Sequence, residues 1–158
     1  MAEEQAARSA AEDRDEIAAL LFAYAERIDA GDFAGVADLL SDAELTFEGY
    51  DRVVRGRGNV QALYVRGTLR HGDGTPLTKH VTTNVIVEVA ATGRTATARS
   101  YFTVLQALPG HLALQPVVAG RYRDRFERAD GRWRFAGRHM IVDLAGDLSH
   151  HLRIDLDA

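Results

Sequence analysis

Three polar residues stand where packing does not call for them, and their types suit proton transfer. His80 opens the strand-like run from Lys79 to Val89. Asp29 lies in the last turn of a helical segment whose inner side is otherwise apolar, and Arg138 follows the strand-like Trp133-Arg134-Phe135-Ala136-Gly137. An imidazole can abstract a proton, a carboxylate can orient it, and a guanidinium can stabilise developing negative charge. Tyr24 shares the helix of Asp29, and its hydroxyl could reach a polar pocket floor while the ring serves the core. Each residue also has a plainer reading: a solvated acid at a helix end, a structural strand histidine, an arginine on a solvent face, a core aromatic. Asp29 faces the negative end of its helix dipole, and if its side chain also points into a pocket both effects favour the protonated form.

The elements that must position these groups follow from periodicity. Ile17, Leu20, Leu21, Tyr24 and Ile28 recur at helical spacing, with Gly31 as a C-terminal stop. Asp32 caps a short second helix carrying Phe33, Val36, Leu39 and Leu40 inward. Leu45 and Phe47 alternate with polar neighbours as a short strand. An Arg/Gly-rich loop follows, and then a third helix that Asn59 can cap. From Lys79 onward, residues 80–90, 95–107, 117–128 and 132–144 are rich in Val, Ile, Thr, Tyr and Phe. Tight turns at Thr92-Gly93 and Ala129-Asp130-Gly131 suit an antiparallel meander, with Leu108–Pro116 read as a longer loop. Period-two alternation puts Arg121, Arg123 and Arg125 on the outer face and turns Tyr122, Asp124 and Phe126 towards the helices. Helices first and strands afterwards predict an α+β fold, with N-terminal helices covering one face of a curved, mostly antiparallel sheet.

Composition bounds the function. The 158 residues suffice for one domain with a real core, read here as residues 1–158 with mobile tails at 1–13 and 149–158. A net charge of −4 gives nucleic-acid binding no electrostatic support. Lys79 is the single lysine among 19 cationic residues, a bias that matches a GC-rich coding sequence. The absence of cysteine removes disulfides, thiolate catalysis and sulfur-ligated metals. No run approaches the roughly 20 apolar residues of a membrane span, and the first sixteen residues lack an apolar signal core, so a cytoplasmic location is expected. His139, His150 and His151 lack the spacing of a metal motif, and the last two are assigned to the C-terminal tail.

The order and spacing of these segments resemble the nuclear transport factor 2-like superfamily in its SnoaL-like branch, over roughly residues 14–148. The resemblance rests on Tyr24-Ala25-Glu26-Arg27-Ile28-Asp29 with Asp32-Phe33, on Asp42–Gly49, on His80-Val81-Thr82-Thr83-Asn84, and on Tyr122 through Arg138. It implies a cone-shaped barrel with an apolar pocket, no metal and no organic cofactor. In the lyases of this group (hexachlorocyclohexane dehydrochlorinase, bile-acid 7α-dehydratase, scytalone dehydratase) a strand histidine acts as base, oriented by an aspartate of the first helix. Those roles fall on His80 and Asp29. Tyr24 stands at the spacing of the bile-acid enzyme's tyrosine, where the dehydrochlorinase has a lysine, and Arg138 matches the latter's arginine. Gln106, Gly120 and Tyr122 replace the second histidine, serine and asparagine of scytalone dehydratase.

The resulting expectation is a cofactor-free lyase of dehydratase or dehydrohalogenase type, acting on a hydrophobic cyclic small molecule. Its catalytic residues would be His80, Asp29, Tyr24 and Arg138, with Tyr122, Asn84 and Phe47 binding substrate. A homotrimer is expected, with a dimer second. The alternatives are an isomerase or polyketide-cyclase-like enzyme, or a non-catalytic ligand-binding or dioxygenase β-like subunit.

Overall fold

Helix α1 (Ala10–Asp29) begins with a capping box in which Ser9 accepts from the Glu12 amide and Glu12 reaches back to the Ser9 amide. The computed structural model describes residues 9–153. Within them, residues 9–13 are a cap and the first helical turn rather than a tail; residues 1–8 and 154–158 lie outside the described part. Asp13, in that turn, is buried: it accepts from Trp133 Nε1 at 3.1 Å and pairs with Arg128. The Trp133 amide donates to Glu16 at 2.9 Å. Ala30 caps the helix C-terminus, and Gly31, at φ 71°, turns the chain into α2 (Phe33–Leu39), whose N-cap is Asp32.

Strands β1 (Glu44–Phe47) and β2 (Tyr50–Val54) form a short hairpin, and α3 (Arg57–Gly67) follows. The residues of β2 lie in the segment read from sequence as loop. Helix α3 starts two residues before Asn59, at a Gly56 cap with φ 84° and no side-chain cap hydrogen bond. Asn59 instead donates to the Arg55 carbonyl. The long strands are β3 (Thr78–Val89), β4 (Thr95–Leu108), β5 (Leu112–Ala129) and β6 (Arg132–Ala145). Pro116 lies inside β5, at a bulge where pairing shifts between Val104 and Leu105, so only three residues link β4 and β5.

The six strands run in the order β2-β1-β6-β5-β4-β3, antiparallel except for the parallel β1–β6 pair. The curved sheet is unclosed, so the barrel of the expectation is an open one. Ile17, Leu21, Tyr24 and Ile28 of α1 meet Phe102, Val104, Tyr122, Phe126 and Phe135 of the sheet in one core. Arg123 and Arg125 are exposed, and Tyr122, Asp124 and Phe126 are buried, as the alternation requires.

One irregularity positions the site. Asn84 has φ 52° and sits where β3–β4 pairing slips between Thr83 and Ile86. Before it, His80 and Thr82 oppose the buried Val104 and Phe102; beyond it, Val87 opposes the buried Ala98. The inward face thus passes from even-numbered to odd-numbered residues. Among the described residues, no helix is long and apolar enough to cross a membrane.

Candidate active site

Asp29 ends α1 beside the start of β3, the edge strand. Its Oδ1 is 2.6 Å from His80 Nδ1 and accepts from the Thr78 hydroxyl at 2.8 Å, while Oδ2 accepts from the His80 amide at 2.8 Å. The carboxylate is therefore fixed by a side chain, a hydroxyl and a backbone amide of one strand. Both partners are withdrawn from solvent, with side-chain exposures of 6% for His80 and 10% for Asp29. Burial pushes the Asp29 carboxyl up, but the hydrogen bonds and charge of His80, with the Thr78 hydroxyl, outweigh it and hold the pKa below 3.8. The donors of β3 thus prevail over burial, and the carboxylate form is the one favoured. With the carboxylate accepting from Nδ1–H, the network assigns the tautomer that leaves Nε2 as a proton acceptor.

Tyr24 lies one turn back on α1 and meets His80 edge-on, ring centroids 6.4 Å apart. Its hydroxyl is 2.9 Å from that of Tyr64. On its other side is Arg138, whose guanidinium carbon is 4.3 Å from the Tyr24 ring centre and 3.9 Å from that of Tyr122. Arg138 lies within β6 rather than after a strand. It is wholly buried and binds Asp124 through Nε at 2.8 Å and Nη2 at 2.9 Å, with Nη1 left without a partner. Burial alone lowers the guanidinium's pKa; Asp124 more than offsets it, and the group stays charged. Burial also lifts the Tyr64 and Tyr122 hydroxyls well above 10, so both remain neutral. Sequence reasoning turned Asp124 inward but gave it no partner.

The three expected substrate contacts are placed differently. Tyr122 is buried and stacked on Phe102 at 4.5 Å. Phe47 is half-buried against the core, and Asn84 is exposed at the bulge. A groove of about 520 Å³ lies on the outer sheet face, among Glu44, Thr46, Arg99, Arg123, Arg125 and His139. Arg138 borders it, whereas Asp29 and His80 do not.

Beyond β6 the chain returns over the dyad, and the tail assignment of His151 is corrected. His151 is 4% exposed, and its ring lies 6.0 Å from that of His80. This strap is tied down by backbone: Leu69 N–H donates to the His151 carbonyl, Arg153 N–H to that of Gly67, and Leu152 bridges Thr68. Gln106 Nε2 donates to the His150 carbonyl at 2.9 Å, and His71 Nε2 is 2.9 Å from the same oxygen. No sequence signal marks these contacts, which join residues far apart in the chain. Among the described residues, no group of three or more His, Asp or Glu is placed to hold a metal ion.

Comparison with known proteins adds a family. The model of the SnoaL-like domain matches residues 9–139. No curated protein matches the chain. Among solved structures, an NTF2-like protein with a cystatin-like fold from Novosphingobium aromaticivorans is 26% identical, with a TM-score of 0.68 over 89% of this chain and 87% of that one. A Mycobacterium tuberculosis protein of unknown function is 30% identical, with a TM-score of 0.65 over 81% of this chain and 70% of that one. A Novosphingobium aromaticivorans protein assigned as a scytalone dehydratase is 20% identical, with a TM-score of 0.68 over 87% and 88% of the two chains, a likeness of fold.

Proposed function

This chain belongs to the SnoaL-like family of the nuclear transport factor 2-like superfamily, and on that premise we propose that it is a cofactor-free lyase using an Asp29–His80 dyad on a hydrophobic cyclic small molecule. The observation that carries the proposal is the 2.6 Å contact between His80 Nδ1 and Asp29 Oδ1 in a site shielded from water. Asp29 fixes the tautomer and stabilises the imidazolium formed when Nε2 takes a proton from carbon. The C–H electron pair becomes the new double bond as the neighbouring hydroxide or halide leaves. His80 then returns its proton to a leaving hydroxide, or loses it to water after halide departure. Tyr24 stabilises the developing charge as a hydroxyl donor, and Arg138 sets the position of its ring and the local field. The aromatic rings of Tyr24, Tyr122 and Phe102, packed in sequence beside His80, support an apolar, ring-shaped substrate. An isomerase would use the same groups and return the proton to another carbon. The exposed apolar residues of the outer sheet face support self-association, which we assign as a homotrimer.

Native mass spectrometry of the protein from its own host, followed by incubation of each retained small molecule with wild type and with the His80→Ala variant, tests this reading. Loss of water or hydrogen halide from the ligand with wild type alone is the expected result. A retained ligand that wild type never converts would overturn the lyase in favour of a binding subunit, and rearrangement without mass loss in favour of an isomerase.

A further inference from the structure

We propose that His151, carried over the dyad by the C-terminal strap, is a second substrate-contacting imidazole that donates a hydrogen bond to a substrate oxygen as negative charge builds on it. The inference rests on the lyase reading and narrows its substrate class to β-hydroxy carbonyl compounds of hydrophobic rings.

Four observations carry it. His151 is buried, yet its Nδ1 has no hydrogen-bond partner, an expensive state unless something else supplies one. Its ring lies 6.0 Å from that of His80, edge to face at 66°, so the two imidazoles are direct neighbours in one site. The strap is held through backbone atoms on either side of it and through Gln106 and His71, which grip the His150 carbonyl. The His151 side chain has no share in that fastening, so packing alone does not call for an imidazole there. Finally, burial, together with the neighbouring His80, lowers the His151 pKa to about 4, with Asp29 opposing and His71 adding to the fall. The ring is thus neutral near pH 7. A neutral imidazole of depressed basicity is a poor proton acceptor and a better N–H donor, which suits a carbonyl oxygen turning into an enolate oxygen.

The division of labour balances. His80 Nε2 takes the proton α to the carbonyl, and the C–H pair moves into the enolate while His151 N–H holds its oxygen. The enolate collapses, its electrons form the carbon–carbon double bond, and the β C–O bond breaks. The hydroxide takes the proton back from His80 and leaves as water. His151 is neutral throughout. Arg138, sealed against Asp124, is not needed at that oxygen, and the Tyr24 hydroxyl, beside that of Tyr64, is left to the charge developing on the departing hydroxide.

The test uses the full chain with 2-cyclohexenone, a ring ketone, as probe. Infrared spectra should show the carbonyl stretch of the bound probe moved to lower frequency, and nitrogen-15 spectra should show a neutral His151 down to about pH 5 whose protonated nitrogen shifts on binding. His151→Ala should abolish the carbonyl shift, His151→Asn should restore part of it through its amide, and His80→Ala should retain it. On 3-hydroxycyclohexanone, His151→Ala should lower kcat about 100-fold with little change in KM. A carbonyl shift that survives His151→Ala, or no shift at saturating probe, overturns the proposal, as does a His151 that titrates near 6.5. Elimination by wild type that is lost in His80→Ala but untouched in His151→Ala leaves the lyase standing and removes this role. A probe shift that depends on His151 without turnover removes the lyase and keeps His151 as a ligand-binding donor.

Discussion

Asp29 accepts three hydrogen bonds from β3, and each is a test of what the carboxylate does. Asparagine offers one acceptor oxygen where the carboxylate offers two. Asp29→Asn is therefore expected to cost about 1–3 kcal/mol in urea unfolding, and turnover should fall by roughly 100- to 10,000-fold because the imidazole tautomer is no longer set. His80→Ala should cost comparable turnover, and the double variant little more than either alone, as befits residues acting as one unit. The pH dependence has a definite sign. The folded pKa of Asp29 lies below its ordinary value, so its stabilisation is present above pH 3.8 and is lost as pH falls through the lower folded value. The stability gap between wild type and Asp29→Asn should close in that acid range, and a gap independent of pH would contradict it. Arg138 answers to different physics. Its removal strands Asp124 in the core, so Arg138→Ala should destabilise by about 3–5 kcal/mol in the same unfolding assay.

At the scale of elements, the helices and the long strands were legible because their periods of 3.6 and 2 are written in apolar residues such as Ile17, Leu21 and Phe126. The dyad was legible because a helix end and a strand start are places where Asp29 and His80 had no packing reason to be. Three things were not. Tyr50–Val54 shows no alternation, since four of its five residues are exposed. Pro116 signals a loop locally, and only the bulged pairing with β4 absorbs it. His151 owes its place to backbone bonds with Gly67 and Leu69, which depend on the fold as a whole. That strap yields a further expectation. Because the folded pKa of His151 is about 4 against 6.5, its packing is undiminished above pH 6.5 and weakens as pH falls towards 4, by up to about 3 kcal/mol. Hydrogen exchange of the Leu69 and Arg153 amides should quicken over that window, and His151→Asn should flatten the change. In β5, a methyl group on Gly120 would lie 2.0 Å from the Ile141 carbonyl oxygen and 2.8 Å from the Phe102 ring. Gly120→Ala should therefore lower stability by about 1–3 kcal/mol, visible as a drop in Tm of several degrees.

The whole molecule presents Tyr101 and Leu144 on the outer side of the sheet, at 53% and 71% exposure. Such surface favours self-association. Light scattering at micromolar concentration should report a trimer, and Leu144→Asp should shift it towards monomer; a wild-type monomer would remove the assembly. The same scale shows what keeps the proposed base aligned. Helix α1, 20 residues and so about 30 Å long, is pinned at one end through Asp13 and Glu16 to the β5–β6 hairpin, and at the other through Asp29 to β3. It behaves as a beam clamped at both supports rather than as a cantilever. Loosening the far clamp, at Trp133 and Arg128, lets the near end sway, so the aim of the Asp29 carboxylate is set in part by a fastening nearly a full helix length away.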